Sequence, residues 1–389
     1  MAMEGLNFPP MDLPPETEAL RAEVRQFLAE ERANGGYEPH CDAWMSHWSP
    51  DFSRKLGARG WIGIMWPKKY GGQERSALDR YVLTEELMSA GTPVFSHWVS
   101  DRQIGPTLLA YGSEAQCALL LPEIAKGNLF LAAGLSEPDS GSDLASIRTS
   151  LLPDENGKLR LNGRKIWTSA AHLSQYIIVL CRTSPFNIEK RHEGISQVLV
   201  RTDTPGISMR PIHLLDGRHH FNEVVFEDVE VDPDQIIGEP GNGWKQITDE
   251  LVYERSGPER YLSTFPLIVE LANRINRDGG TSAQKAALGK LVAQLWTLRR
   301  MSVRIVGLMA SGKALPNNEA AVIKDLGTRF EQESIALVRS VVDARPSKDS
   351  LDPLEVRLAE AIFHSPGMTL RGGTNEILRG VIARGLGLR

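Results

Sequence analysis

The chain has 389 residues, a formal net charge of -5 and 41% apolar residues. That is enough for two or three domains and a large core, and the balance offers no basic surface for DNA or for an anionic membrane. A local basic pocket for an anionic ligand stays invisible in a net charge. Cys41, Cys117 and Cys181 lie far apart, with no CxxC or zinc spacing, and are expected as small buried hydrophobes in a reducing compartment. The opening MAMEGLNFPPMDLPPE lacks the basic and then apolar pattern of a signal peptide. No apolar run approaches the ~20 residues needed to span a bilayer. These features lead us to expect a cytoplasmic protein with no metal, nucleic acid or membrane.

The first third reads helical. In ETEALRAEVRQFLAEERANGG, Leu20, Val24, Phe27 and Leu28 recur at helical spacing, and Gly35 and Gly36 end the run. LDRYVLTEELMSAGTP and SEAQCALLLPEIAKGN continue the pattern. Near residue 130 the period shortens to strand-like runs: LFLAAGLSEP, KLRLNGRKIW, YIIVLCRT, SQVLVRTD and NEVVFEDVEV, separated by turns such as DENGK and DTPG. After GEPGNGW the helical period returns in two long amphipathic segments, followed by the polar connector RPSKDSLDP. The acidic pairs Glu30-Glu31 and Glu85-Glu86 read as solvated helix faces. His219-His220 has no acidic or cysteine ligand at useful spacing and reads as an exposed turn rather than a metal site.

Four segments are chemically suggestive. GLSEPDSGSD (134–143) follows an apolar run, and its small residues and hydroxyls let a backbone approach a ligand. Ser136 is followed by Glu-Pro, which excludes a serine-hydrolase elbow. GRKIWTSAAH (163–172) puts a Trp beside hydroxyls at a strand end. FNEVVFEDVEV leads into IIGEPGNGW, which has neither P-loop nor Rossmann spacing. LRGGTNEILRG (370–380) pairs two glycines with a helix start, whose free N–H groups favour an anionic oxygen. Each segment alone is also compatible with an ordinary turn, core aromatic or capped helix.

Taken in order, GLSEPDSGSD, KIWTS, FNEVVFEDVEV with IIGEPGNGW, and GGTNEI resemble the acyl-CoA dehydrogenase family over essentially the whole chain. The resemblance implies an α+β fold: an N-terminal helical domain (1–130), a middle β domain (131–240) and a C-terminal four-helix bundle (241–389). It implies FAD, an acyl-CoA substrate and electron-transferring flavoprotein as acceptor. It places Ala133, Leu135, Ser136, Gly141 and Ser142, then Trp167, Thr168 and Ser169, then Thr374 and Glu376, against the cofactor. Trp167 would pack on the isoalloxazine, and Ser169 stands for the usual Thr near flavin N5. Ser142, Tyr253, Arg255, Gly372 and Gly373 fall on the substrate side, with the Gly372 N–H aimed at the thioester carbonyl.

Many family members carry the α-proton base in the tail, immediately before Gly-Thr, and here that position is Gly372. A minority place it in a Glu-Arg pair early in the C-terminal domain. ELVYERSGPER offers Glu254-Arg255 there, so Glu254 is the expected base. Glu259-Arg260, five residues on, reads as a surface pair, and Arg371 as either structural or anion-binding. Homotetrameric relatives complete a neighbour's FAD site with Arg-x-x-Phe-Gly and a glycine-rich stretch. This chain has Lys285 and Leu288 in QKAALGKL and Trp296 for a glutamine. Residues 340–365 lack the glycines. A homodimer or homotetramer is expected. A mixed complex with a related chain, a non-catalytic FAD-completing subunit, and an oxidase on the same scaffold (nitroalkane oxidation included) are the alternatives.

Overall fold

The computed structural model describes residues 6–310 and 317–388, without the side chains of 250–254. In chain order the helices are α1 (Pro15–Ala33), α2 (Ala43–Ser46), α3 (Pro50–Ala58), α4 (Ala77–Ser89), α5 (Phe95–Val99), α6 (Gly105–Tyr111), α7 (Glu114–Ala125), α8 (Gly243–Arg255), α9 (Phe265–Asp278), α10 (Ser282–Ala310), α11 (Asn317–Val341), α12 (Pro353–Met368) and α13 (Asn375–Gly385). The strands are β1 (Leu131–Gly134), β2 (Ser150–Pro153), β3 (Leu159–Ser169), β4 (Tyr176–Arg182), β5 (Ile195–Arg201), β6 (Ile207–His213) and β7 (His219–Val231). The expected helical, β, helical order is what the chain adopts. Among the described residues, no helix is long and apolar enough to cross a membrane.

By internal contacts the chain forms two compact units. One comprises residues 1–52, 75–95 and 252–389; the other comprises 53–74 and 96–251. The first is helical. Ser76 starts α4 with a capping box, its hydroxyl accepting from the Asp79 N–H while Asp79 reaches back to the Ser76 N–H. Leu78, Tyr81 and Val82 of α4 pack with Val303 and Val306 of α10.

The acidic pair on α4 is not solvated. Glu85 and Glu86 are 7% and 5% exposed. Arg21 of α1 bonds both. Arg25 Nε donates to Glu86 at 2.8 Å and Arg299 Nε donates to Glu85 at 2.7 Å. Two carboxylates tolerate this burial only because three guanidiniums from α1 and α10 meet them.

The second unit carries the sheet, in the order β1-β4-β2-β3-β7-β6, with β5 on β4. β1 and β4 run parallel, whereas β4–β5, β2–β3, β3–β7 and β6–β7 are antiparallel. Alternation fills one face of the sheet with Leu161, Ile177, Val179, Val198, Val200, Val224, Phe226 and Val229. His219 and His220 belong to β7, with His220 buried, so the exposed turn expected there ends at Arg218 instead.

The same unit buries an uncharged histidine. The Ser53 hydroxyl meets His97 Nδ1 at 2.8 Å, and His97 is 3% exposed. Burial pushes its pKa down to about 4, with Asp101 offsetting this only in part. A histidine whose folded pKa is depressed stabilises the fold fully above its unfolded value, and that contribution is lost as pH falls through the folded value. Between about pH 6.5 and about pH 4, stability should therefore drop by about 3 kcal/mol from this group alone. Urea denaturation across that range checks it: His97→Asn should flatten this part of the profile, and an unchanged profile refutes the assignment.

Candidate functional site

β1 delivers the chain into the segment 135–142. Glu137 turns inward there, 9% exposed. Its carboxylate accepts from Lys165 Nζ at 2.8 Å, from the Thr149 N–H at 2.8 Å and from the Arg148 N–H at 2.7 Å. Lys165, with no exposed surface, also donates to the Leu135 carbonyl at 3.0 Å. Burial pushes the Glu137 carboxyl up, but Lys165 and the N–H donors more than offset this, and it sits below the ordinary value. Burial lowers the Lys165 ammonium, and Glu137 opposes that. The Ile166 N–H donates to the Ser136 carbonyl at 2.9 Å, so the two motif segments are tied together at backbone and side chain. Ala133, Leu135 and Ser136 are half-buried, and Gly141 and Ser142 are exposed. A Cβ at Gly141 would meet nothing within 4 Å.

Between Lys165 and Thr168 the β3–β7 register slips, with Lys165 opposite Val224 and Thr168 opposite Asn222. Three steps on β3 match two on β7, which is a β-bulge, a device that re-aims a side chain. Trp167 in the bulge has φ 58, a left-handed conformation costly for a bulky residue. Its indole is 54% exposed and edge-on to Phe221, with centroids 5.6 Å apart. Thr168 is fully buried, and its hydroxyl has no hydrogen-bond partner among the described residues. Of the three motif residues, Trp167 and Ser169 thus keep side-chain surface.

The tail motif lies in the helical unit. Gly372 and Gly373 have φ 69 and 94. A Cβ on Gly372 would come within 3.1 Å of the Arg260 guanidinium, and one on Gly373 within 3.3 Å of that of Arg255. Arg255 Nε donates to the Gly372 carbonyl at 3.2 Å. Thr374 caps α13, with its hydroxyl facing the Ile377 N–H. The Asn375 amide donates to Asp325 at 2.9 Å. Glu376 and Lys285 are exposed. Arg371 is structural: it stacks on Trp44 at 4.7 Å and reaches Asp42 at 2.5 Å and the Ser263 hydroxyl at 2.8 Å. Burial pushes the Glu331 carboxyl beside it up, and Arg371 opposes this. The side chains of Tyr253 and Glu254 lie outside the described residues. Among the described residues no cluster of His, Cys, Asp or Glu suits a metal.

Each of these features, taken by itself, suits a part of a flavin cofactor. An exposed indole held on a bulge with Ser169 beside it fits a flat ring with a polar edge. A positive-φ glycine pair running into a capped helix fits anionic oxygens. Glu137, Lys165 and Asn222 are the residues that motif reading passed over. Their signal was a charge or amide inside an otherwise apolar or turn-forming run.

Residues 14–128 match the family model described as acyl-CoA dehydrogenase, N-terminal domain, and residues 132–229 match the middle domain. The acyl-CoA dehydrogenase FadE29 of Mycobacterium tuberculosis is 33% identical over 96% of this chain and 97% of its own. The solved Tcur3481-Tcur3483 steroid ACAD is 29% identical, with a TM-score of 0.82 over 97% of this chain and 99% of that one. The ChsE4-ChsE5 complex from Mycobacterium tuberculosis is 29% identical, with a TM-score of 0.80 over 98% and 100%. By two family models that together span more than half of its residues and by a relative at 33% identity along nearly its full length, the chain belongs to the acyl-CoA dehydrogenase family of FAD-dependent enzymes.

Proposed function

We propose that this chain desaturates a bulky, polycyclic acyl-CoA thioester between Cα and Cβ, with Glu254 as the α-proton base. The observation that carries this reading is the Arg255–Gly372 hydrogen bond at 3.2 Å. It brings the 254–255 end of α8 to the glycine turn, where the family's alternative carboxylate would otherwise stand. A glutamate in place of Gly372 would need a left-handed backbone and would crowd the Arg260 guanidinium. The Gly372 N–H polarises the thioester carbonyl and so acidifies the α-proton. Glu254 takes that proton, and Arg255 and Tyr253 flank it on the substrate side. Ser142 meets the CoA portion. Bound FAD would accept the β-hydride, with Trp167 and Ser169 orienting the ring. An electron-transferring flavoprotein is the proposed acceptor.

The polycyclic acyl group is supported by similarity to the Tcur3481-Tcur3483 steroid ACAD and by the early-helix position of the proposed base. Anaerobic titration with a panel of acyl-CoAs, followed by flavin absorbance, tests it. Steroid side-chain thioesters should bleach the flavin fully, and straight-chain esters only weakly. Equal bleaching by butyryl-CoA, or none by any thioester, overturns the reading.

A second reading concerns assembly. Lys285 stands where relatives carry Arg, and it keeps the charge without the planar fork. Residues 353–368 form a plain helix without the glycine-rich stretch. A mixed complex, in which a related chain completes the FAD site, accounts for both, and the ChsE4-ChsE5 relative is itself a complex. A chain purified alone with less than one FAD per protomer supports the mixed complex. Full occupancy supports a homo-oligomer.

A further inference from the structure

Asn222 is fully buried on β7, and its side chain makes three contacts. Nδ2 donates to the Thr168 carbonyl at 3.0 Å and faces His172 Nδ1 at 3.0 Å; Oδ1 meets His219 Nε2 at 2.8 Å. A backbone carbonyl only accepts, so the amide nitrogen must face Thr168. That fixes the rest: His219 Nε2 carries a proton, and His172 Nδ1 is a bare acceptor. The His172 and His219 rings stack 3.6 Å apart, 14° from parallel. The Thr168 carbonyl held by this fork lies directly after the bulge that carries Trp167 in its left-handed conformation, with Ala170 beyond it also left-handed.

We propose that Asn222, oriented by His172 and His219, is a positioning residue for the flavin-facing bulge, and that its grip requires His172 to be neutral. A proton on His172 Nδ1 would place a donor against a donor. The amide would relieve this only by flipping, and the Thr168 carbonyl would then lose its partner. The groups facing His172 are His219 on β7 and, beyond it, His213 on β6, 5.8 Å from His219. His220 turns to Phe221. The charged side chains nearby are engaged with one another: Asp216 with Arg218, and Glu223 with Arg164 and Arg210. Burial and then His219 hold His172 below the ordinary histidine value. The grip is therefore intact at neutral pH and is lost as the pH falls through the lowered value of His172.

This rests on the proposed contact of Trp167 and Ser169 with FAD, and the test separates the two. FAD release from the holoenzyme is measured by recovery of flavin fluorescence on dilution, at two pH values, with melting temperatures in parallel. Wild type should bind FAD several-fold more weakly at about pH 5 than at about pH 7.5. His172→Asn keeps an acceptor near the Nδ1 position but cannot be protonated. It should lose the pH dependence, so that its ratio of FAD affinities between the two pH values is near one, and keep its melting temperature. Asn222→Leu should weaken FAD binding at both pH values. If His172→Asn titrates like wild type, or Asn222→Leu binds FAD unchanged, the inference is overturned. If Trp167→Ala also leaves FAD affinity unchanged, the flavin contact itself falls; if Trp167→Ala weakens binding, only the Asn222 inference falls.

Discussion

Glu254→Gln is expected to retain bound FAD while the rate of anaerobic flavin bleaching by a good acyl-CoA falls about 10²–10⁴-fold. Glutamine keeps the shape and hydrogen-bonding reach of the side chain but cannot take the α-proton at neutral pH. The glycine turn would still bind and polarise the thioester, so substrate affinity should change far less than the bleaching rate. That split distinguishes a lost base from a damaged site. The alternative positions make the prediction sharp. Gly372 has no side chain, and Glu376 is exposed on α13, the second residue of the helix that Thr374 caps. Near wild-type bleaching by Glu254→Gln would remove the assignment of the base to the end of α8.

The second large effect concerns the tie between the two motif segments proposed to face the flavin. Lys165→Met should leave the Glu137 carboxylate buried with backbone N–H donors alone. Breaking a buried pair from one side costs about 3–5 kcal/mol, a large part of the 5–15 kcal/mol that typically holds a domain together. A fall in melting temperature of about 10 °C is expected for the unit that carries the sheet. The Leu135 carbonyl loses its ammonium donor at the same time, so FAD content should fall with it. The double variant Glu137→Gln with Lys165→Met removes both charges and should recover most of the melting temperature. A single variant that melts within a degree of wild type would show that the pair bears no such weight.

The layout was readable because the periods are clean. β7 alternates buried and half-exposed residues over most of its length, and the helices α4 and α7 announce themselves with Ser76 and Ser113 caps. Two strands escaped. β2 is only four residues long, and β6, ISMRPIH, is mostly exposed and contains Pro211, which marks an edge. The burial of Glu85 and Glu86 was illegible for a different reason. Their partners Arg21 and Arg299 lie 64 and 214 positions away, so no local pattern records them. The candidate site divides in the same way. Trp167, Ser136 and Gly372 stand out as motif letters. Glu137, Lys165 and Asn222 sit within or beside the same motifs, but their roles depend on cross-strand register, which only the folded sheet fixes.

The parallel pairing of β1 with β4 has a kinetic side. β1 is four residues long, and its sheet partner is a strand the ribosome has yet to make when β1 emerges. The hairpins β2–β3 and β6–β7 join neighbours in sequence, whereas β1 must wait for a distant one, a slow class of closure. The segment from Leu135 to Ser142 therefore stays an open loop until late. On the proposed contact of this segment with FAD, cofactor capture comes after sheet closure, and a nascent or refolding chain should pass through a colourless, β-rich stage before it turns yellow.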